Sequence, residues 1–90
     1  MDEYQSITLE VPRWTSAAGT PVEWEPDAVV LTRIDNGVPL LEGNAAGLRS
    51  LARLLLTLAA DEVPAGTHVH LADYTGLEPG SAEIIVERGE

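Results

Sequence analysis

Gly43 to Leu71 reads GNAAGLRSLARLLLTLAADEVPAGTHVHL: a turn, one long amphipathic helix and the strand that follows. The rest of the chain is organised around this stretch. Asn44 suits a helix N-cap, because its side-chain oxygen can accept from backbone N–H groups of the first turn. Gly43 before it lets the chain turn in at an unusual backbone angle. At about 100° per residue, Leu48, Leu51, Ala52, Leu55, Leu58 and Ala59 share one face. Leu54 and Leu56 widen that stripe, and Arg49, Ser50, Arg53, Thr57 and Ala60 make the opposite, wetter arc. Pro64 cannot continue a helix and disfavours helical geometry at Val63, which sets the end near Asp61 or Glu62. Those two acids oppose the helix macrodipole by about a few tenths of a kcal/mol. Burying a single leucine is worth ~1.5–3 kcal/mol, so the leucine stripe is expected to form the core.

Outward from the helix, Ser6–Val11 (SITLEV) alternates, with Ile7, Leu9 and Val11 on one face, and predicts a first strand. Pro12 ends it or places it at a sheet edge. Residues 12–27 carry Pro12, Pro21, Pro26 and a Ser16–Gly19 turn, and read as loop with a short strand at Val22–Glu25. Asp27–Ile34 is β-rich. Asp35-Asn36-Gly37 then gives a strong hairpin signal, with Val38–Glu42 returning and Pro39 pushing that strand towards an edge. Beyond the helix, Thr67–Leu71 alternates strictly, Val69 and Leu71 on one side, His68 and His70 on the other. Ala72–Ser81 is a loop. Ala82–Arg88 is a last strand, with Ile84 and Val86 towards the helix and Glu83, Ile85 and Glu87 away from it. The expected fold is α+β: a mainly antiparallel sheet of four to five strands, one long helix packed on one face, in the order β-ββ-α-ββ. Residues 1–90 make one domain, without internal repeats.

Fifteen acidic residues against five arginines and no lysine give a formal charge of −10. Such a field repels nucleic acid and anionic membranes and favours a basic protein partner. It also keeps a small domain soluble, with or without a partner. With no cysteine there are no disulfides and no thiolate metal sites. The N-terminal residues carry neither the basic nor the apolar region of a signal peptide, and the longest apolar run is too short to span a bilayer. A cytoplasmic location is the expectation.

No catalytic or cofactor constellation stands out. His68 and His70, two apart on a strand, could ligate a metal with Asp73, Glu83 or Glu87 nearby, but no third ligand is fixed and two solvated or carboxylate-paired histidines fit better. Trp14 and Trp24 either cover a core edge or present an aromatic surface to a partner. Glu23 and Glu25 share a strand face, and Asp2 and Glu3 lie near the start, without a pocket to shift their pKa values. Gly43 to Gly47 lacks the Lys-Ser/Thr of a phosphate-binding loop, so helix capping explains its glycines. Arg49 and Arg53, one turn apart with no acid at helical spacing, call for a loop carboxylate or an anionic partner.

Asn36-Gly37, Leu41-Glu42-Gly43-Asn44-Ala45-Ala46-Gly47-Leu48 and Leu51-Ala52 lead into the leucine-rich helix. Gly66-Thr67-His68-Val69-His70-Leu71-Ala72-Asp73, Leu77-Glu78-Pro79-Gly80-Ser81 and Ile84-Ile85-Val86 follow. Together they resemble the immunity protein 32 family over about residues 36–88: a Gly-Asn helix start, a histidine-bearing strand and a Leu-x-x-Gly-Ser loop into a closing strand. Ala72 interrupts what would be a Leu-Asp pair. Residues 1–35 carry no part of the resemblance. It implies a cytoplasmic protein that binds and neutralises a cognate bacterial toxin, without catalysis or cofactor. The expected partner is a basic toxin, met by Trp14, Trp24, Asp73, Glu83 and Glu87. A small-ligand or metal-binding module using His68 and His70, and a homodimer formed through the open sheet face or a strand edge, stay open as alternatives.

Overall fold

The computed structural model describes residues 3–90. In chain order its elements are β1 (Val30–Asp35), β2 (Val38–Gly43), α1 (Ala45–Ala59), β3 (His68–Leu71), a 3-10 turn (Asp73–Thr75) and β4 (Ile84–Glu87). Asn36 and Gly37 have φ of 51° and 79°. Positive φ at both central residues suits a two-residue hairpin turn, and it fixes the β1–β2 register from Asp35↔Val38 to Val30↔Gly43. β3 and β4 pair antiparallel from His68↔Glu87 to Leu71↔Ile84.

The α+β class stands, but the single sheet does not. The described residues form two separate two-stranded antiparallel sheets. The loop between the 3-10 turn and β4 lies along the open side of β1 and makes only scattered bonds. Glu78 N donates to Val30 O at 2.8 Å and Ala82 N to Thr32 O at 2.9 Å, while the Thr32 hydroxyl donates to Ala82 O. Pro79 has no N–H and Gly80 sits at φ 84°, so no regular ladder can run through this segment. β4 accordingly starts only at Ile84.

The expected strand Ser6–Val11 is not formed; Ile7 is well exposed and Leu9 half-buried. Alternation specifies a face, but a strand also needs a neighbour to complete its hydrogen bonds. Val22–Glu25 is no strand either, since Pro21 and Pro26 bracket it and Glu25 N donates instead to Ser50 Oγ at 3.0 Å.

The helix starts where the cap requires. Asn44 Oδ1 accepts from Gly47 N at 2.8 Å and Val29 N at 3.0 Å, and Nδ2 donates to Asp27 O at 2.8 Å. One side chain thus joins the first turn to the chain entering β1. Gly43 does not adopt positive φ, contrary to its expected role; a Cβ there would lie 3.2 Å from Leu48 Cδ2 and 3.3 Å from Val29 O. Gly47 is tighter still, since a Cβ would collide with Val29 O and the Val30 side chain. The helix ends at Ala59, short of Asp61. Arg88 Nη1 donates to Leu58 O at 2.6 Å and Ala60 O at 2.8 Å, placing a cation on the terminal carbonyls. Asp61 and Glu62 therefore lie beyond the helix.

The buried helix face is rotated from the one the leucines predict. Gly47, Ser50, Leu51, Leu54, Thr57 and Leu58 are buried, whereas Leu48, Leu55 and Leu56 remain 49%, 53% and 50% exposed. Close approach at Gly47 sets this rotation, because larger residues at that position would hold the helix away from β1. Ser50 and Thr57, 3% and 1% exposed, tolerate burial because both hydroxyls are bonded. Ser50 Oγ donates to Ala46 O at 2.8 Å, and Thr57 Oγ1 lies 2.9 Å from Arg53 O and 3.1 Å from Pro12 O. The core joins Val30, Leu51, Leu54, Leu58, Val63, Leu71 and Leu77, with Trp14, Trp24, Val69, Ile84 and Val86 packed against it. Val69 and Leu71, and Ile84 and Val86, thus face inward as their alternation predicts.

Leu54→Ala and Leu58→Ala are each expected to lower the unfolding free energy by about 2–5 kcal/mol. Leu55→Ala is expected to stay within about 0.5 kcal/mol of the parent. Urea unfolding measures all three. A loss at Leu55 equal to that at Leu54 contradicts the observed rotation.

Candidate functional site

The outer face of β3–β4 carries His68, His70, Ile85 and Glu87, all exposed. His70 Nδ1 lies 2.8 Å from Glu83 Oε2, and Tyr74 OH donates to the same oxygen at 2.7 Å. The Tyr74 hydrogen bond, then that of His70, holds the Glu83 carboxyl below the usual carboxylate range. The same contact pushes the Tyr74 phenol up. His68 Nδ1 lies 3.0 Å from Gly66 O, and the two imidazoles meet edge to face at 5.3 Å. Glu87 stands opposite His68 in register, and Asp73 opens the 3-10 turn. Among the described residues, no three His, Cys, Asp or Glu side chains gather in a group that could hold a metal ion.

A second cluster surrounds Glu25. Arg49 reaches its carboxylate through Nε and Nη2, the latter at 2.9 Å from Oε1, and Arg53 Nη1 binds Oε2. The Arg49 hydrogen bonds first, then that of Arg53, lower the Glu25 pKa to about 2. A loop carboxylate is thus what the two helix arginines meet. Glu23 points to solvent apart from this cluster, so Glu23 and Glu25 do not form the shared strand face the sequence predicts. Glu3 is exposed, and Asp2 lies outside the described residues.

The tryptophans differ. Trp24 Nε1 donates to Thr75 O at 2.8 Å, and its indole lies against Gly76, where a Cβ would strike the ring. Gly76 has φ 115°, and its lack of a side chain lets the 3-10 turn and Trp24 pack together. Trp14 is half-buried beside an open cleft of about 400 Å³, lined also by Val11, Pro12, Leu56 and Thr57. The feature sequence reasoning missed is the outward row of Leu48, Leu55 and Leu56. One signal could have revealed it: the smaller residues Gly47, Ser50 and Thr57 recur at helical spacing and mark the side able to approach other backbone.

The model of the immunity protein 32 family matches residues 39–89. That is more than half of the chain, and the chain belongs to this family. The matched segment takes in most of β2 and all of α1, β3 and β4, and leaves out β1 and everything before it. No curated protein and no solved structure matches the chain. Among the described residues, no helix is long and apolar enough to cross a membrane.

Glu25 gives an acid test of the loop clamp. Its folded pKa of about 2 lies below the ordinary glutamate value of 4.5. The stability it contributes is therefore complete above about pH 4.5 and lost as pH falls towards 2. Glu25→Gln should be less stable than the parent at neutral pH, with the difference shrinking across that window. A difference independent of pH in equilibrium unfolding contradicts the clamp.

Proposed function

We propose that the protein is a non-catalytic immunity protein that works in the cytoplasm, where it binds and neutralises a cognate bacterial toxin with a basic surface, such as a nuclease. Membership of the immunity protein 32 family carries this reading. The charge supports the choice of partner. Of the five arginines, Arg49 and Arg53 bind Glu25, and Arg88 caps α1. The formal charge of −10 thus leaves a mostly acidic exterior. An enzyme that acts on a polyanion carries a cationic groove, and an acidic protein is drawn to such a groove and can occupy it. Neutralisation by occupancy asks no chemistry of the inhibitor.

In this reading Asp73, Glu83 and Glu87 contribute to the attracting field. Trp14 at the cleft and the accessible part of Trp24 offer aromatic contact. Where a neighbouring reading frame encodes a toxin, binding to that toxin is the test, with growth protection on co-expression and titration of the purified pair. Raising salt from about 0.05 M to about 0.5 M should weaken the complex at least tenfold, because screening shortens the reach of exposed charges. An acidic toxin, or affinity indifferent to salt, contradicts the reading.

A further inference from the structure

We propose that the toxin seats on the outward row of α1, formed by Leu48, Ala52, Leu55, Leu56 and Ala59, and presents to it an apolar strip bordered by Lys or Arg. This rests on the immunity reading and gives that reading a surface. Leu48, Leu55 and Leu56 each leave about half their area in water on one helix face. The same helix buries the hydroxyls of Ser50 and Thr57. Burial alone would choose the reverse, leucines in and hydroxyls out. A helix that leaves three of its six leucines half in water while bonding two hydroxyls inside is arranged for a second apolar surface.

Charge identifies the occupant. The row itself carries no charged side chain. Arg49 and Arg53, on its flank, are held by Glu25. Its two ends are acidic, with Glu42 and Asp27 beside the N-cap and Asp61 and Glu62 after the last turn. An apolar strip with acidic ends complements an apolar strip with basic ends. A second copy is disfavoured, because two helices packed along this row, parallel or antiparallel, bring acidic ends together in molecules of charge −10 each. Leu56 also lines the cleft beside Trp14, where Arg13 and Glu62 stand one against the other in charge, so the row continues into a recess for one anchoring side chain. The outer face of β3–β4 offers less. Its Glu83 is already bonded to His70 and Tyr74, and Ile85 is its exposed strand aliphatic.

The experiment titrates the cognate toxin domain found by that test, catalytically silenced, against the parent, the double variant L48E/L55E and Ile85→Asp. Glutamates at 48 and 55 add negative charge, so weaker binding cannot come from lost attraction. L48E/L55E is expected to raise Kd about a hundredfold and remove growth protection, with Ile85→Asp within about threefold of the parent. Leu55→Ala, at an exposed position, is expected to raise Kd about five- to tenfold with circular dichroism unchanged, which separates binding from folding. Parent-like affinity in L48E/L55E overturns the surface while the immunity reading stands. A parent that does not bind the toxin overturns both. A solution mass of twice 9.6 kDa that L48E/L55E halves assigns the row to a second copy and overturns the proposal.

Discussion

The approach of Gly47 to the Val29 carbonyl, held by the Asn44 side chain, sets which way α1 faces. Asn44 bonds Gly47, Val29 and Asp27 at once, and the space over Gly47 admits no side chain. With the first turn fixed against β1, the 3.6-residue period carries the rotation down the helix. Gly47, Ser50, Leu54 and Thr57 go inward, and Leu48 and Leu55 go outward. A backbone contact available only to glycine thus overrides the pull of several leucines.

Irregular segments supply what a wider sheet would otherwise give. The segment before β1 lies over the hydroxyl side of the helix, where Pro12 O meets Thr57 and Glu25 N meets Ser50. Glu25 clamps Arg49 and Arg53, and Trp24 bonds the 3-10 turn. Arg88 closes the helix from the other end of the chain. The bonds to Ser50, Thr57 and Trp24 satisfy polar groups that burial would otherwise leave unpaired.

The local part of this structure was legible in the sequence. Asn36-Gly37 gave the hairpin, Asn44 gave the helix start, and the alternation around His68 and His70 gave the orientation of β3. Arg49 and Arg53, without helical partners, pointed to a loop carboxylate, which proved to be Glu25. The errors share a physical origin, since they depend on which distant surface comes near. SITLEV alternates like a strand but pairs with neither sheet. Pro79 and Gly80 break the ladder that would have merged the two sheets. Counting leucines places the helix stripe off the buried face, because a count of side chains does not register that glycine permits closer approach than leucine. The outward leucine row is a consequence of that rotation.

An acidic exterior and an outward apolar row suit an inhibitor that is drawn in by charge and held by burial. The proposed seat for the toxin depends on the rotation of α1, and the absence of native cysteine makes that rotation directly measurable, because one substitution introduces one thiol. The decisive measurement is the native-state alkylation rate of Leu48→Cys, Leu55→Cys, Leu54→Cys and Thr57→Cys. The account requires rapid modification at 48 and 55, near that of the unfolded chain, and strong protection at 54 and 57. Protection at 48 and 55 with rapid modification at 57 would contradict it, returning the leucines to the core and removing the proposed seat for the toxin.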